Sequence, residues 1–432
     1  MVGRKVILFA ALQFIIDIDC FWIPGLEWRR GGIYMHYSAE RMLTTHVGSL
    51  PRGERLLQML VDREAGTAID EAAFEKQVKH DLDYVLQKQT EVGVDIIGDG
   101  ELPRLGFSFY VKDRMSGFGG HSPRGTVTDF AKFPGYAKLK QQQAAKGDEI
   151  SKSATLYAMP ECQCAVQYDT EKRAAQQELR LFTESLERTG VGNQATATFV
   201  TAATPGIVST TLLRNPNNPD YATDRDYVMA LAEELRSEYE LIVEHGHILQ
   251  VDGPDLALER QILYVDKPLD AFLKRVELHV EALNAALINI PKDRVRLHVC
   301  WGNWDGPHID DMDLEPLLPL LYQANVGGLS IPFANPRHQH EGELFVSYPL
   351  PDDMLLFPGV VDVTTNYLEH PEVVAERLAR IVDVVGERER IIASTDCGFS
   401  TFAGYTMVAE DVVWAKLQVL SQGAALASER LW

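Results

Sequence analysis

EELRSEYELIVEHGHILQVDGPD, residues 233–255, holds in one stretch the alternation on which the fold turns. Leu235, Tyr239 and Ile242 recur at helical spacing, and Gly246 supplies a stop. Then the apolar residues bunch into HILQVDGPD (247–255), a buried-strand pattern closed by an Asp-Gly-Pro-Asp turn. Seven further runs of this kind lie on either side: LTTHVGS (43–49), VDIIGDGE (94–101), ATFVTAATPG (197–206), VRLHVCWGN (295–303), GGLSIPFANP (327–336), LLFPGVVDVTT (355–365) and RIIASTDCGF (390–399). Most are followed by helical spacing, clearest at 74–92, 224–244, 268–290, 371–385 and 409–422. Eight strand-then-helix units predict an α/β fold, a single-domain (β/α)8 TIM barrel.

Two stretches break the rhythm. Residues 112–180, rich in Gly, Pro, Gln and Lys, read as an insertion or lid after the second strand, above the barrel face where strands end. Residues 1–34 carry a basic start and the apolar run VILFAALQFII (6–16), too short to span a bilayer and followed by no small-x-small cleavage site. They are placed outside the fold as an N-terminal extension, and 35–432 forms the barrel. A cytoplasmic location is expected, with no membrane partner.

The chain has 432 residues and a formal charge of −21. Such a charge opposes nucleic-acid backbones, where Lys and Arg must neutralise phosphates, so small molecules are the expected partners, with self-assembly left open. Five Cys, an odd number over a long chain, favour free thiols or metal ligation over a disulfide framework.

Barrel active sites lie at the carboxyl ends of the strands. Reactive residues gather there: His46 and Ser49, Asp99 and Glu101, Asp252 and Asp255, His298 and Cys300, Asp396 and Cys397. His298 and Cys300, one residue apart, share a strand face, and Cys397 ends the eighth run. Two thiolates and an imidazole make a zinc set with one open position. A Cys in an apolar strand is more often a small buried hydrophobe, and His-x-Cys recurs by chance. Cys162-x-Cys164 lies in the insertion without a nearby His, and His338 and His340 sit in a loop, where exposure or substrate contact is expected.

Seven motifs in order carry a resemblance: THVGSLPR (45–52), GDGELPR (98–104), LQVDGPDLA (249–257), LHVCWGN (297–303), FANPRHQHE (333–341), GVVDVTTNYLEHPE (359–372) and STDCGF (394–399). The chain resembles the carboxyl-terminal catalytic domain of cobalamin-independent methionine synthase, and in particular single-barrel relatives that include epoxyalkane:coenzyme M transferase. The resemblance implies a Zn2+ enzyme in which a substrate thiol, bound as thiolate, attacks an alkyl donor. His298, Cys300 and Cys397 would hold the metal. Val47, Gly48, Ser49, Glu101 and Asp252 would grip homocysteine, the two carboxylates facing its ammonium group. No residue is assigned as catalytic acid or base.

Three departures accompany the resemblance. Pro332 stands where a fourth, carboxylate ligand is expected, leaving water or Glu341 for that place; Thr364 replaces a proton-donating histidine; and the 34 residues read as an extension are too few for the amino-terminal barrel of the long methionine synthases. Homocysteine methylation is the leading expectation, favoured by Glu101 and Asp252. Its rival is epoxide opening by a sulfonate-bearing thiol, with Arg52, Arg104 or Arg337 as sulfonate contacts. A zinc hydrolase or lyase and a non-catalytic barrel are the remaining alternatives.

Overall fold

The computed structural model of the protein describes residues 35–146 and 159–432; the extension read at 1–34 lies outside them. Ten strands occur among the described residues: β1 (Leu43–Thr44), β2 (Ile96–Gly98), β3 (Met115–Gly119), β4 (Glu161–Tyr168), β5 (Ala197–Ala203), β6 (Ile248–Asp252), β7 (Val295–His298), β8 (Gly328–Pro332), β9 (Leu355–Val361) and β10 (Ile392–Thr395). Eight form one sheet in the order β1-β10-β9-β8-β7-β6-β5-β2, every neighbour parallel. A parallel bridge between Thr45 and Ile96 joins its two ends, so the sheet closes as the expected (β/α)8 barrel.

Strand alternation builds the barrel interior in layers of rising polarity. Ile248, Gln250 and Asp252 share one face of β6, while Leu249 and Val251 face the helices. At the amino end, Leu43, Ile96, Phe199, Ile248, Phe357 and Ile392 make an apolar plug. Above it the buried Arg296 lies 3.9 Å from the centre of the Phe199 ring. Such a plug excludes water from one end and leaves chemistry to the other.

The outer helices start and stop where local sequence dictates. Thr223 and Asp226 form a reciprocal capping box at the start of Asp224–Glu244, and Pro371 opens Pro371–Val385, where a missing N–H costs nothing. The last helix, Glu410–Leu431, runs past the expected end at 422. Its small residues explain this: a Cβ at Gly423 would lie 2.4 Å from Val374, so only glycine lets the two helices come so close. After β7 and β8 the chain forms only Leu318–Leu321 and a 3-10 segment, Gln339–Val346. No helix of the described residues is long and apolar enough to cross a membrane.

The insertion between β2 and β5 folds back as an antiparallel hairpin of β3 and β4, with short helices Asp129–Lys132 and Pro134–Lys146. The helix Arg173–Thr189 begins inside the stretch read as insertion, but it packs beside Glu71–Glu91 as an outer helix of the barrel. Its strongly one-sided apolar pattern, with Leu179, Phe182 and Leu186 buried, requires such a seat.

Glu238, fully buried on Asp224–Glu244, anchors the hairpin: it accepts hydrogen bonds from Tyr110 (2.8 Å) and Tyr168 (2.5 Å) and pairs with Arg114 at 2.8 Å. Removing one partner from a buried ionic cluster costs about 3–5 kcal/mol. Glu238→Ala should therefore lower the unfolding midpoint and speed amide exchange in 115–119 and 161–168 before the barrel strands. Unchanged hairpin exchange would show that the anchor lies elsewhere.

Candidate metal centre and substrate cavity

His298 ends β7, and Cys300 follows on the same side after Val299, whose N–H donates to the Ser330 carbonyl at 3.0 Å. Cys397 arrives from beyond β10, held by its carbonyl accepting from the Thr395 hydroxyl at 2.9 Å. The three ligand-type atoms lie within 4.8 Å of one another, and all three residues are buried. Neither ring nitrogen of His298 makes a hydrogen bond of standard geometry although both are buried. Such an orphaned imidazole beside two sulfurs fits a metal ligand, and the donor set suits Zn2+ with a fourth position open.

The protonation pattern agrees with that geometry. A hydrogen bond from Cys397 pushes the Cys300 thiol well below its ordinary range, with His298 adding to the effect. The same hydrogen bond, together with burial, pushes Cys397 well above it. Burial would lower His298, but the Cys300 sulfur, Asp252 and the Ser330 carbonyl raise it. The opposite shifts mark two sulfurs linked by one hydrogen bond, a pair that a metal would hold as thiolates.

A cavity of about 220 Å³ opens beside the cluster, lined by Val47, Ser49, Glu101, Asp252, His298, Cys300 and Cys397 among others. Glu101 sits in the left-handed region at φ 56°, accepting from the Thr201 hydroxyl at 3.1 Å while its Oε2 has no partner. Gly48 makes room for it, since a Cβ there would lie 2.5 Å from Glu101 Oε1. Asp252 accepts from Gln250 at 2.7 Å. Burial and the nearby Asp252 push Glu101 up to about 8, and burial pushes Asp252 up to about 6. Two buried acids crowded at one cavity wall are suited to a cation, which would favour their ionised forms.

Other residues singled out in the sequence are committed to structure. The Gly48 N–H donates to His46 Nδ1, and His46 Nε2 bonds Gln89 at 2.8 Å; burial pushes this ring down to about 3. Asp99 accepts from the Glu101 N–H, Asp255 bonds Thr204 and His279, and Asp396 accepts the N–H groups of Phe333, Ala334 and Asn335. His338 is neither exposed nor in the cavity. It is buried between Asp311 and Glu341 and stacks 3.6 Å from Trp301, whereas His340 is exposed. Glu341 spends both oxygens on Leu314 N–H and His338, so it does not serve as a fourth ligand.

Thr364, where the resemblance expects a histidine, donates to Asp362 at 2.8 Å and shares a small hollow with Pro332, Cys300 and Cys397. Arg52 and Arg104 are buried clamps, the first on the carbonyls of Glu101, Leu102 and Arg104, the second on Glu178 and Thr201. Arg337 is exposed and bonds the Ile309 carbonyl. None of the three lines the cavity. Cys162 and Cys164 lie on β4, and burial pushes Cys162 up to about 12.

Two charged residues at the site are absent from the sequence-based candidates. Arg296, two before His298, points into the same barrel interior and bonds Gln250 (2.7 Å), Thr45 (3.1 Å) and the His46 carbonyl (2.9 Å). The strand alternation that paired His298 with Cys300 already placed it there. Arg124, from the insertion, lines the cavity, and nothing local in GGHSPRGT announces it.

A family model described as the cobalamin-independent synthase catalytic domain matches residues 42–128 and 205–412. The methionine synthase of Sulfurisphaera tokodaii is 26% identical over 396 residues, 90% of this chain and 93% of that protein. The 2-hydroxypropyl-CoM lyase of Xanthobacter autotrophicus is 26% identical over 245 residues, 51% of this chain and 60% of that protein, so the match spans under two thirds of the lyase. In fold, the B12-independent methionine synthase from Shewanella sp. W3-18-1, in complex with selenomethionine, matches with a TM-score of 0.61 at 19% identity, covering 90% of this chain and 99% of that one.

Fold and site together define a (β/α)8 enzyme with a soft-ligand cluster at its carboxyl mouth. The chain belongs to the family of the cobalamin-independent methionine synthase catalytic domain.

The raised acids make stability depend on pH. Glu101 keeps its proton in the folded chain up to about 8 but loses it in the unfolded chain near 4.5, so ionisation costs folded stability as pH rises between those values. In chelator-treated protein, Glu101→Gln should gain on the unsubstituted chain across this window, by a slope of up to about 1.4 kcal/mol per pH unit. A flat difference in urea midpoints would mean that Glu101 is already ionised in the folded protein.

Proposed function

We propose that this protein transfers a methyl or other alkyl group to a thiol at a Zn2+ held by His298, Cys300 and Cys397, with homocysteine as the thiol. One observation carries the reading: two sulfurs and an orphaned imidazole share a cavity wall with the close pair Glu101 and Asp252. When bound, zinc would supply deprotonation of the incoming thiol at neutral pH. Cys300 and Cys397 as thiolates with a neutral His298 would make the loaded site formally uncharged, a setting that would favour sulfur attack on carbon over Lewis-acid hydrolysis.

The chain's own groups do the positioning. Glu101 and Asp252 receive the ammonium group, whose approach draws both carboxyls to their ionised forms. Ser49 Oγ already accepts the Ser400 N–H at 3.2 Å, which leaves its own proton for an acceptor in the cavity such as the substrate carboxylate. Phe107, Phe402, Leu258 and Trp304 supply apolar walls that keep water from the nucleophile. The similarity of methionine synthases along nearly the whole chain supports homocysteine as acceptor. The relative named 2-hydroxypropyl-CoM lyase favours a second reading, addition of a sulfonate-bearing thiol to an epoxide.

Purified protein should hold about one equivalent of zinc, as catalytic Cys2His sites do. Cys300→Ser or Cys397→Ser should release it, and homocysteine should add sulfur-to-metal absorption to the cobalt-substituted protein. Asp252→Asn should weaken homocysteine at least about tenfold, the scale of a lost charge-assisted hydrogen bond, while sparing 3-mercaptopropionate, which has no ammonium group. Metal content under about half an equivalent with no thiol-induced spectral change would refute the reading.

A further inference from the structure

The cavity walls come mainly from loops that follow the barrel strands, but Arg124, Val127 and Met159 come from the insertion between β2 and β5. Arg124 is the one Lys or Arg among the described lining residues. Its side chain is 12% exposed. Nη1 is pinned twice, donating to the Thr210 carbonyl at 2.8 Å and to the fully buried Glu259 at 2.6 Å. No described group accepts from Nε or Nη2. A guanidinium fixed through one nitrogen keeps a two-donor edge whose spacing matches the paired oxygens of a carboxylate or sulfonate.

The rest of the wall makes this position informative. The cavity holds two acids and the sulfur pair, in a chain whose formal charge is −21. An anionic reactant entering it meets the Asp252 carboxyl and no cationic side chain other than Arg124 among the described lining residues, so a fixed cation at the wall both attracts and orients it. The motif arginines that sequence reading offered for this duty are spent on carbonyls and Glu178. From this arrangement we infer that Arg124 is a specificity residue that binds the carboxylate or sulfonate of a reactant in the cavity. The inference rests on the proposed thiol-alkylating site. The shared chemistry is an organic oxyanion, and its carrier is either the thiol or the alkyl donor.

The test uses full-length cobalt-substituted protein in the unsubstituted form and as Arg124→Gln and Arg124→Lys. Homocysteine, 2-mercaptoethanesulfonate and the uncharged 2-mercaptoethanol are titrated by sulfur-to-metal absorption, and pteroylglutamate, as a carboxylated donor probe, by calorimetry. Arg124→Gln should weaken at least one oxyanion ligand by about 10- to 100-fold, the range of a charge-assisted hydrogen bond, with Arg124→Lys intermediate. Binding of 2-mercaptoethanol should be unchanged, which a merely structural pin for the insertion would not allow. Loss confined to the charged thiols assigns the oxyanion to the acceptor; loss confined to pteroylglutamate assigns it to the donor. Equal weakening of 2-mercaptoethanol, or no weakening of any oxyanion, overturns the inference while intact thiol spectra leave the site reading standing. Failure of the unsubstituted protein to take up metal or to respond to any thiol overturns both.

Discussion

Cys397 reaches Cys300 because β10 is hydrogen-bonded to β9 on one side and to β1 on the other, while β1 bridges to β2 across the seam. A sheet without free edges leaves the eighth strand no lateral freedom, so the loop after it opens onto the same mouth as the loop after β7. Every feature of the site inherits this closure. The apolar plug at the amino end blocks water from below, and the cluster meets only what enters from above. The hydrogen bond between the two sulfurs then shifts them in opposite directions, Cys300 down and Cys397 up, with burial adding to the rise of Cys397.

Between plug and cluster lies a polar layer that costs stability and repays it in orientation. Arg296 is buried and is pushed down to about 9 by desolvation, with Asp252 acting in the opposite direction. Its guanidinium holds Thr45, the His46 carbonyl and Gln250; Gln250 in turn holds Asp252 and the Val47 carbonyl. One side chain therefore ties the first strand's loop to the fourth strand's acid. Buried polar groups of this kind are tolerable when satisfied, and here the satisfied chain leads to Asp252 at the cavity wall, beside Glu101 with its unpartnered Oε2.

Above the mouth, the insertion is tied to the loop after Cys300. Asp129 accepts from the Trp304 indole at 3.1 Å and the His308 N–H at 2.9 Å, and Lys132 pairs with Asp310 at 2.6 Å. His308, Asp311, His338 and Glu341 continue as a buried hydrogen-bonded chain, and His338 stacks on Trp301, the neighbour of Cys300. The family model matches on either side of 129–204, the interval that holds most of this inserted structure. Of the insertion residues on the cavity wall, Arg124 and Val127 fall within the matched segment and Met159 within the interval that the family pattern leaves unspecified.

Strand runs, helix stops and the inward pairing of His298 with Cys300 were legible in the sequence, because periodicity and one-residue spacing are local consequences of backbone geometry. The barrel followed from counting eight such units, and the candidate metal residues from their place at strand ends. Other strand-end residues looked equally reactive on paper. The resemblance singled out Glu101 and Asp252, and the folded chain supplies the physical distinction: these two line the cavity, whereas Asp99, Asp255 and Asp396 spend their oxygens on backbone and neighbours. The folded chain also removed His338 and Glu341 from consideration and brought Arg124 in from a stretch without periodic pattern. The physical reason is the same in each case: spacing decides which way a side chain leaves the backbone, but whether its polar atoms stay free depends on partners that only tertiary packing brings within reach.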